Sequence, residues 1–167
     1  THWGISNYSY DQIEKVISLG YVCSYQPQYS LLYRENQKSI DLCAKNNIGI
    51  LTYGSIAGGI LSGKYRTEED CPKDGRTQTY PFYHGEAFKK AMKLVDVLEM
   101  IANDHQKPIS HVAINWVNQQ PGITTSLVGM KTPEQAISNA EAGNWELSKE
   151  ELMLINSTYE KLFGDQQ

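Results

Sequence analysis

The feature that most limits what this chain can become is a fourfold alternation of short apolar runs with amphipathic helical stretches, punctuated by turn residues. Such alternation predicts βα units around a parallel sheet, because parallel neighbours need a crossover, usually helical, between them. The first unit is Trp3-Gly4-Ile5, then Ser9 as an N-cap with Gln12 three residues on, a helical face of Ile13, Val16 and Ile17, and a stop at Gly20. Tyr21 to Ser24 gives the second strand, and a helix from about Asn36 to Asn46 turns Ile40, Cys43 and Ala44 inward. Ile48 to Thr52 is the third strand. Two helices follow it, one from about Glu86 to Asn103 with Ala91, Val95, Leu98 and Ala102 on one face. The other starts near Pro108 and buries Ala113, Trp116 and Val117. Ser126-Leu127-Val128 is the fourth strand. Thr132-Pro133-Glu134-Gln135 then starts a helix, with Thr as N-cap, Pro first and Gln closing a capping box, and Ser148 to Glu151 repeats the box before a last helix.

With 167 residues, 40% hydrophobic and 20% charged, the chain can bury a real core, so the expectation is one α/β domain over residues 1–167. Residues 66–85, "RTEEDCPKDGRTQTYPFYHG", show no periodicity and read as a long surface loop within it. A formal charge of −4, with lysines scattered among acids, disfavours nucleic acid as a partner. No apolar run approaches the ~20 residues that span a bilayer, and no basic-then-apolar leader opens the chain, so no membrane partner is expected and the location is cytoplasmic. Cys23, Cys43 and Cys71 lack metal or redox spacing and fit a reducing compartment, with Cys43 on the apolar face of its helix. The opening "THWGISNY" carries no initiator Met and enters a strand at once, as though mid-domain.

One stretch imitates a nucleotide hydrolase. In "GGILSGKY", Gly58, Gly63 and Lys64 fall at P-loop spacing, but Tyr65 stands where the motif needs a magnesium-binding Ser or Thr, and bulky Ile60 and Leu61 crowd the loop. Something else must explain a lysine among glycines. Polar and glycine residues also gather after each strand: Ser6 and Asn7, Gln26, Tyr53 with Gly54 and Ser55, Gly129 and Lys131. In parallel α/β folds the C-terminal strand ends are where ligands bind.

Taken together, "WGISNY", "QPQYSLLYRE", "YGSIAGGILSGKY" and "SLVGMKTPEQAISNAEA", in that order and spacing, resemble the C-terminal half of the aldo-keto reductases. The resemblance covers nearly the whole chain and implies the last four βα units of a (β/α)8 barrel that reduces aldehydes and ketones with NADPH. It implies that Ser6, Asn7 and Gln26 hold the nicotinamide carboxamide and that Tyr53 stacks on the ring. It assigns Ser55 and the backbone of Ile56, Ala57 and Gly58 to the pyrophosphate, with Gly54 where many relatives carry a hydroxyl. Lys64 would approach the same phosphates, and Arg76 could join it. Gly129, Lys131, Gln135 and Asn139 match the adenine end, where a helix N-terminus and a lysine suit a 2′-phosphate.

The family's proton donor is a tyrosine assisted by lysine, aspartate and histidine, and none of those motifs occurs here. His2, His84, His105 and His111 sit in other contexts. No catalytic residue is therefore assigned, and the chain alone is expected not to turn over carbonyls. The alternative is a non-catalytic nucleotide-binding or regulatory module. Titration with NADPH and ATP separates both from a P-loop hydrolase. Two open strand edges with apolar sequence, at residues 3–5 and 126–128, predict a homodimer that closes the barrel, or a soluble aggregate, rather than a stable monomer.

Overall fold

The computed structural model describes residues 2–164; Thr1, the first residue of the opening motif, and residues 165–167 of the 1–167 span lie outside them. The strands are β1 (Gly4–Ser6), β2 (Ser24–Gln26), β3 (Gly49–Tyr53) and β4 (Thr125–Leu127), all parallel in the order β1-β2-β3-β4. Between and after them run α1 (Tyr10–Leu19), α2 (Gln37–Lys45), the single turn α3 (Arg76–Thr79), α4 (Gly85–Asp104), α5 (Ile109–Asn118), α6 (Pro133–Glu141) and α7 (Lys149–Phe163).

Three of the four strands lie later in the chain than the apolar runs do. β1 and β3 begin one residue beyond the expected starts and β2 begins at Ser24, the last residue of the expected Tyr21 to Ser24, while β4 begins one residue before its expected start, at Thr125. Each of β1, β2 and β3 therefore finishes on a polar residue, Ser6, Gln26 or Tyr53. Register explains the shift. Ile5 pairs with Tyr25, and Tyr25 with Ile50, and these three side chains are buried toward the helices. Strict alternation puts Gly4, Ser6, Ser24, Gln26, Gly49, Leu51 and Tyr53 on the opposite face, with Thr125 and Leu127 of β4 beside them. That inner face is mostly small and polar, which a search for apolar runs cannot find.

Local chemistry sets the helix starts. The capping box at α1 is complete, with the Gln12 N–H donating to Ser9 Oγ at 3.4 Å and the Ser9 N–H donating to Gln12 Oε1 at 2.9 Å. The box at Ser148 and Glu151 is complete as well. At α6 it is not. Thr132 accepts from the Gln135 N–H, but Gln135 Oε1 takes the Lys131 N–H at 2.7 Å instead of reaching back to Thr132. Near Pro108, proline stands at the N-cap and α5 opens at Ile109.

The core joins α4, α5 and α7 to the outer face of the sheet. Ala91, Val95, Leu98 and Ala102 of α4 are all buried, and α5 buries seven consecutive residues from His111 to Val117. Buried Asn115 and Trp116 meet their hydrogen-bonding needs at Trp145 O and Asn156 Oδ1. The Arg34 guanidinium lies 4.4 Å from the Trp116 ring and 3.6 Å from the Tyr159 ring, which fastens the segment after β2 to α5 and α7. Cys43 is buried, as its place on α2 predicts, and burial pushes its thiol up to about 11.

Candidate functional site

Three adjacent strand ends bring the first group together. Ser6 Oγ donates to Gln26 O at 3.0 Å, and the Asn7 N–H donates to the same carbonyl at 3.3 Å. Asn7 then turns into the left-handed region, at φ 57°, which asparagine tolerates better than most residues. That turn lets its amide meet β3, where Tyr53 Oη donates to Asn7 Oδ1 at 2.9 Å. With Oδ1 engaged, Asn7 Nδ2 is left to donate outward. Ser6, Asn7, Gln26 and Tyr53 form one hydrogen-bonded group at the C-terminal rim.

Beyond Tyr53 the chain makes a glycine-rich turn that no ordinary sequence would follow. Gly54, Ala57, Gly58, Gly59 and Gly63 all have positive φ, and alanine at φ 47° costs roughly 1 kcal/mol that glycine would not. Ser55 is buried and its Oγ has no hydrogen-bond partner. A buried orphan hydroxyl beside a turn of left-handed backbone fits a ligand with acceptor oxygens. Ile60, Leu61 and Tyr65 point into the core, so the segment has neither the wrapping amides nor the metal ligand of a P-loop. Lys64 is exposed, with Nζ 5.6 Å from the Tyr65 ring centroid.

Residues 66–85 run over this turn as three short helical segments separated by irregular chain, too brief to leave a period in the sequence. Their anchors are aromatic. Tyr83 is buried and donates to Gly58 O at 2.9 Å, and Tyr80 lies so close that a Cβ on Gly58 would sit 2.8 Å from its ring. Arg76 Nη1 donates to Gly58 O at 3.3 Å and to Tyr65 Oη at 3.2 Å. Its other edge forks onto Asp74, with Nη2 to Oδ2 at 2.8 Å and Nε to Oδ1 at 2.9 Å. That guanidinium holds the Asp74 carboxyl down at about 2, and the carboxylate raises Arg76 further above its ordinary value.

The last group surrounds the start of α6. Gly129, Lys131 and Gln135 are exposed and Asn139 is half-buried. Gln135 is committed at Oε1 to the Lys131 backbone, which leaves only its amide nitrogen for a ligand. Behind Asn139, Ser138 hydrogen-bonds at 3.0 Å to buried His111 Nε2. Burial lowers the His111 pKa. The fold thus joins the first group tightly, sets Arg76 against the glycine turn, and leaves Lys64 and the α6 residues as separate exposed contributors. Tyr80, Tyr83 and Asp74 were not among the candidates. The one signal for the tyrosines is the aromatic density of "TYPFYHG" in a polar stretch. Asp74 left none.

The family model described as the aldo/keto reductase family matches residues 1–160. "Aldo-keto reductase YhdN" of Bacillus subtilis (strain 168) is 31% identical over 164 residues, covering 97% of this chain and 50% of that protein. "NADH-specific methylglyoxal reductase" of Escherichia coli (strain K12) is 27% identical, covering 95% and 48%. Among solved structures, the glycerol dehydrogenase AKR11B4 from Gluconobacter oxydans superposes with a TM-score of 0.85 at 25% identity, covering 96% of this chain and 49% of that one. The chain spans about half the length of the relatives it matches.

Proposed function

This chain belongs to the aldo/keto reductase family and folds as half of its barrel, and from that premise we propose that it is the cofactor-binding half of an NADPH-dependent reductase of aldehydes and ketones. The observation that carries the reading is the joined group at the rim, where Tyr53 Oη holds Asn7 Oδ1 next to Ser6 and Gln26. A nicotinamide carboxamide offers one acceptor and two donors. Asn7 Nδ2 can meet the acceptor, and Ser6 and Gln26 can take the donors, with Tyr53 against the ring. The cofactor supplies hydride, and what these residues do is fix which ring face presents it.

The orphan Ser55 hydroxyl and the glycine turn suit the pyrophosphate, with Lys64 and Arg76 as nearby cations. Gly129, Lys131, Gln135 and Asn139 suit the adenosine end. NADPH rather than NADH rests on Lys131, since only the 2′-phosphate gives a lysine there something to select. The chain carries no residue in the proton-donor role, so it is incomplete for catalysis alone. Its three free cysteines support a cytoplasmic setting.

We extend the reading to assembly. β1 and β4 end the sheet order, and exposed Trp3 lies beside one and exposed Leu127 on the other. A second copy pairing β1 to β4 closes eight strands. Fluorescence titration of the purified protein with NADPH, NADH and ATP tests the core of the proposal. Saturable NADPH binding that Tyr53→Ala weakens at least tenfold supports it. Binding of ATP alone, or of nothing, refutes it.

A further inference from the structure

Two half-buried polar side chains meet over the first glycine of the turn. Gly54 follows Tyr53 directly and has φ 75°, which glycine adopts freely and other residues only with strain. A Cβ there would lie 3.4 Å from Gln28 Cγ, 3.7 Å from Gln28 Nε2 and 3.6 Å from Tyr80 Oη. The space above Gly54 is thus bordered by an amide and a phenolic hydroxyl, and neither side chain forms a hydrogen bond among the described residues. Gln28 is bonded through backbone alone. Its carbonyl accepts from Asn36 Nδ2 at 3.0 Å, and on either side of it the Tyr53 N–H donates to Pro27 O and the Tyr29 N–H to Tyr53 O, each at 3.0 Å.

Tyr80 is held as firmly. Its N–H donates to Arg76 O at 2.9 Å at the end of α3, and Pro81 after it restricts it to the extended backbone it adopts. Two of its ring carbons would lie 2.8 and 2.9 Å from a Cβ on Gly58. The ring therefore runs along the turn from Gly58 to Gly54, with its hydroxyl at the Tyr53 end. Burial holds the phenol above its ordinary pKa, which keeps it a neutral donor. A hydroxyl and an amide that are fixed in place yet unbonded suit an acceptor from outside the chain. Their neighbours say which one: Tyr53 on one side is the residue set against the nicotinamide ring, and Ser55 to Gly58 on the other are those set against the pyrophosphate. We propose that Tyr80 and Gln28 form a donor pair for the cofactor, binding the phosphate of its nicotinamide nucleotide over Gly54. This assignment rests on the cofactor reading above and deepens it, by giving residues 66–85 a direct contact with the dinucleotide.

Tyr80→Phe is the test, because it keeps the ring that packs on Gly58 and removes only the hydroxyl; Gln28→Leu removes the amide at similar volume. Dissociation constants of the full chain are measured for NADPH by fluorescence titration and for adenosine 2′,5′-bisphosphate, which has the adenosine end without the nicotinamide nucleotide, by calorimetry. Each variant should weaken NADPH about three- to tenfold, the scale of one hydrogen bond, and leave the bisphosphate within experimental error. Thermal melting is the reading that a structural role would move: a hydroxyl with no protein partner can be removed with the melting temperature unchanged. Unchanged NADPH affinity in either variant, an equal loss for the bisphosphate, or a lowered melting temperature in Tyr80→Phe would each overturn the assignment while leaving the cofactor reading intact. So would tighter NADPH binding by Tyr80→Ala, since the side chain would then obstruct the site. Failure of the parent chain to bind NADPH would overturn both.

Discussion

Gly58→Ala is the substitution for which the structure makes the sharpest demand. Gly58 has φ 70°, so any L-residue there pays about 1 kcal/mol for the left-handed backbone. The added methyl would then lie 2.8 and 2.9 Å from two ring carbons of Tyr80 and 3.3 Å from Tyr83 Oη. The first two are closer than real Cβ atoms come, and the third is tighter than most. The Tyr80 ring is half-buried against the turn, so it cannot swing clear without surrendering its own packing. Overpacking of this kind costs about 1–3 kcal/mol, which gives about 2–4 kcal/mol in all. For a chain of this length that is a fall of roughly 4–16 °C in melting temperature. Urea unfolding measures it, with Gly75→Ala as reference, because Gly75 has an ordinary helical φ of −57° and nothing within 4 Å of its missing Cβ. That variant should be neutral or slightly stabilised. A double-mutant cycle adds the mechanism: in a Tyr80→Ala background the two closest contacts vanish, leaving only Tyr83 Oη at 3.3 Å, and the cost of Gly58→Ala should fall toward the backbone term of about 1 kcal/mol. A cost below about 0.5 kcal/mol in the parent, or the same cost in both backgrounds, would refute the claim that residues 66–85 pack on the glycine turn.

Lys131→Glu should weaken NADPH on the order of tenfold more than NADH, read by the same titration, because it replaces a charge-assisted contact with repulsion at the 2′-phosphate. The isolated 167-residue chain should show no NADPH-dependent reduction of simple aldehydes above a buffer blank in an absorbance assay. Analytical ultracentrifugation at micromolar concentration should find a species of twice the chain mass. A sharply melting monomer of 18.9 kDa would contradict the edge pairing. His111 supplies a pH dependence. Its folded pKa lies below the ordinary 6.5, through burial first and then Lys107, so the unfolded chain binds the extra proton and stability falls as pH drops below about 6.5. His111→Gln, which can still hydrogen-bond to Ser138, should flatten that part of the melting profile.

The helices were legible because their signals are local. Ser9 with Gln12, Ser148 with Glu151 and the apolar period of α4 each need only a few neighbouring residues to act, and all three operate as the sequence predicts. Strand positions were displaced because what sets them is not local. Ser24 to Gln26 joins the ladder through pairing with β1 and β3, although only Tyr25 of the three is apolar and buried. Gln135 shows the same limit on a smaller scale. Its spacing from Thr132 meets the capping-box pattern, yet its side chain has a competing donor one residue earlier, at the Lys131 N–H, and takes that one. Residues 66–85 were opaque for a third reason. Their order comes from Tyr80 and Tyr83 meeting a turn that lies more than twenty residues back, and no period records such a meeting.

The inner face of the sheet is divided unevenly between polar and apolar residues. On the inner face, exposed Gly4 and Ser6 and half-buried Ser24, Gln26 and Gly49 present little apolar surface, and its larger apolar groups are half-buried Leu51 and Tyr53 and exposed Leu127, so the face is less costly to hydrate than a fully apolar one. Burial is concentrated on the opposite face, where Ile5, Tyr25 and Ile50 align across three strands against the helices. This asymmetry also makes the site. A strand that sends its apolar residues outward to the helices must place its small and polar ones inward, and at the C-terminal rim those become Ser6, Gln26 and Tyr53. In the proposed dimer, the drive to pair would come chiefly from unpaired backbone along β1 and β4 and from exposed apolar side chains such as Trp3, Leu127 and, on α6, Ile137. In the proposed reading, ligand binding and strand pairing would draw on different parts of the sheet: a dinucleotide would sit at the C-terminal rim, and a second half-barrel would satisfy the edges of β1 and β4.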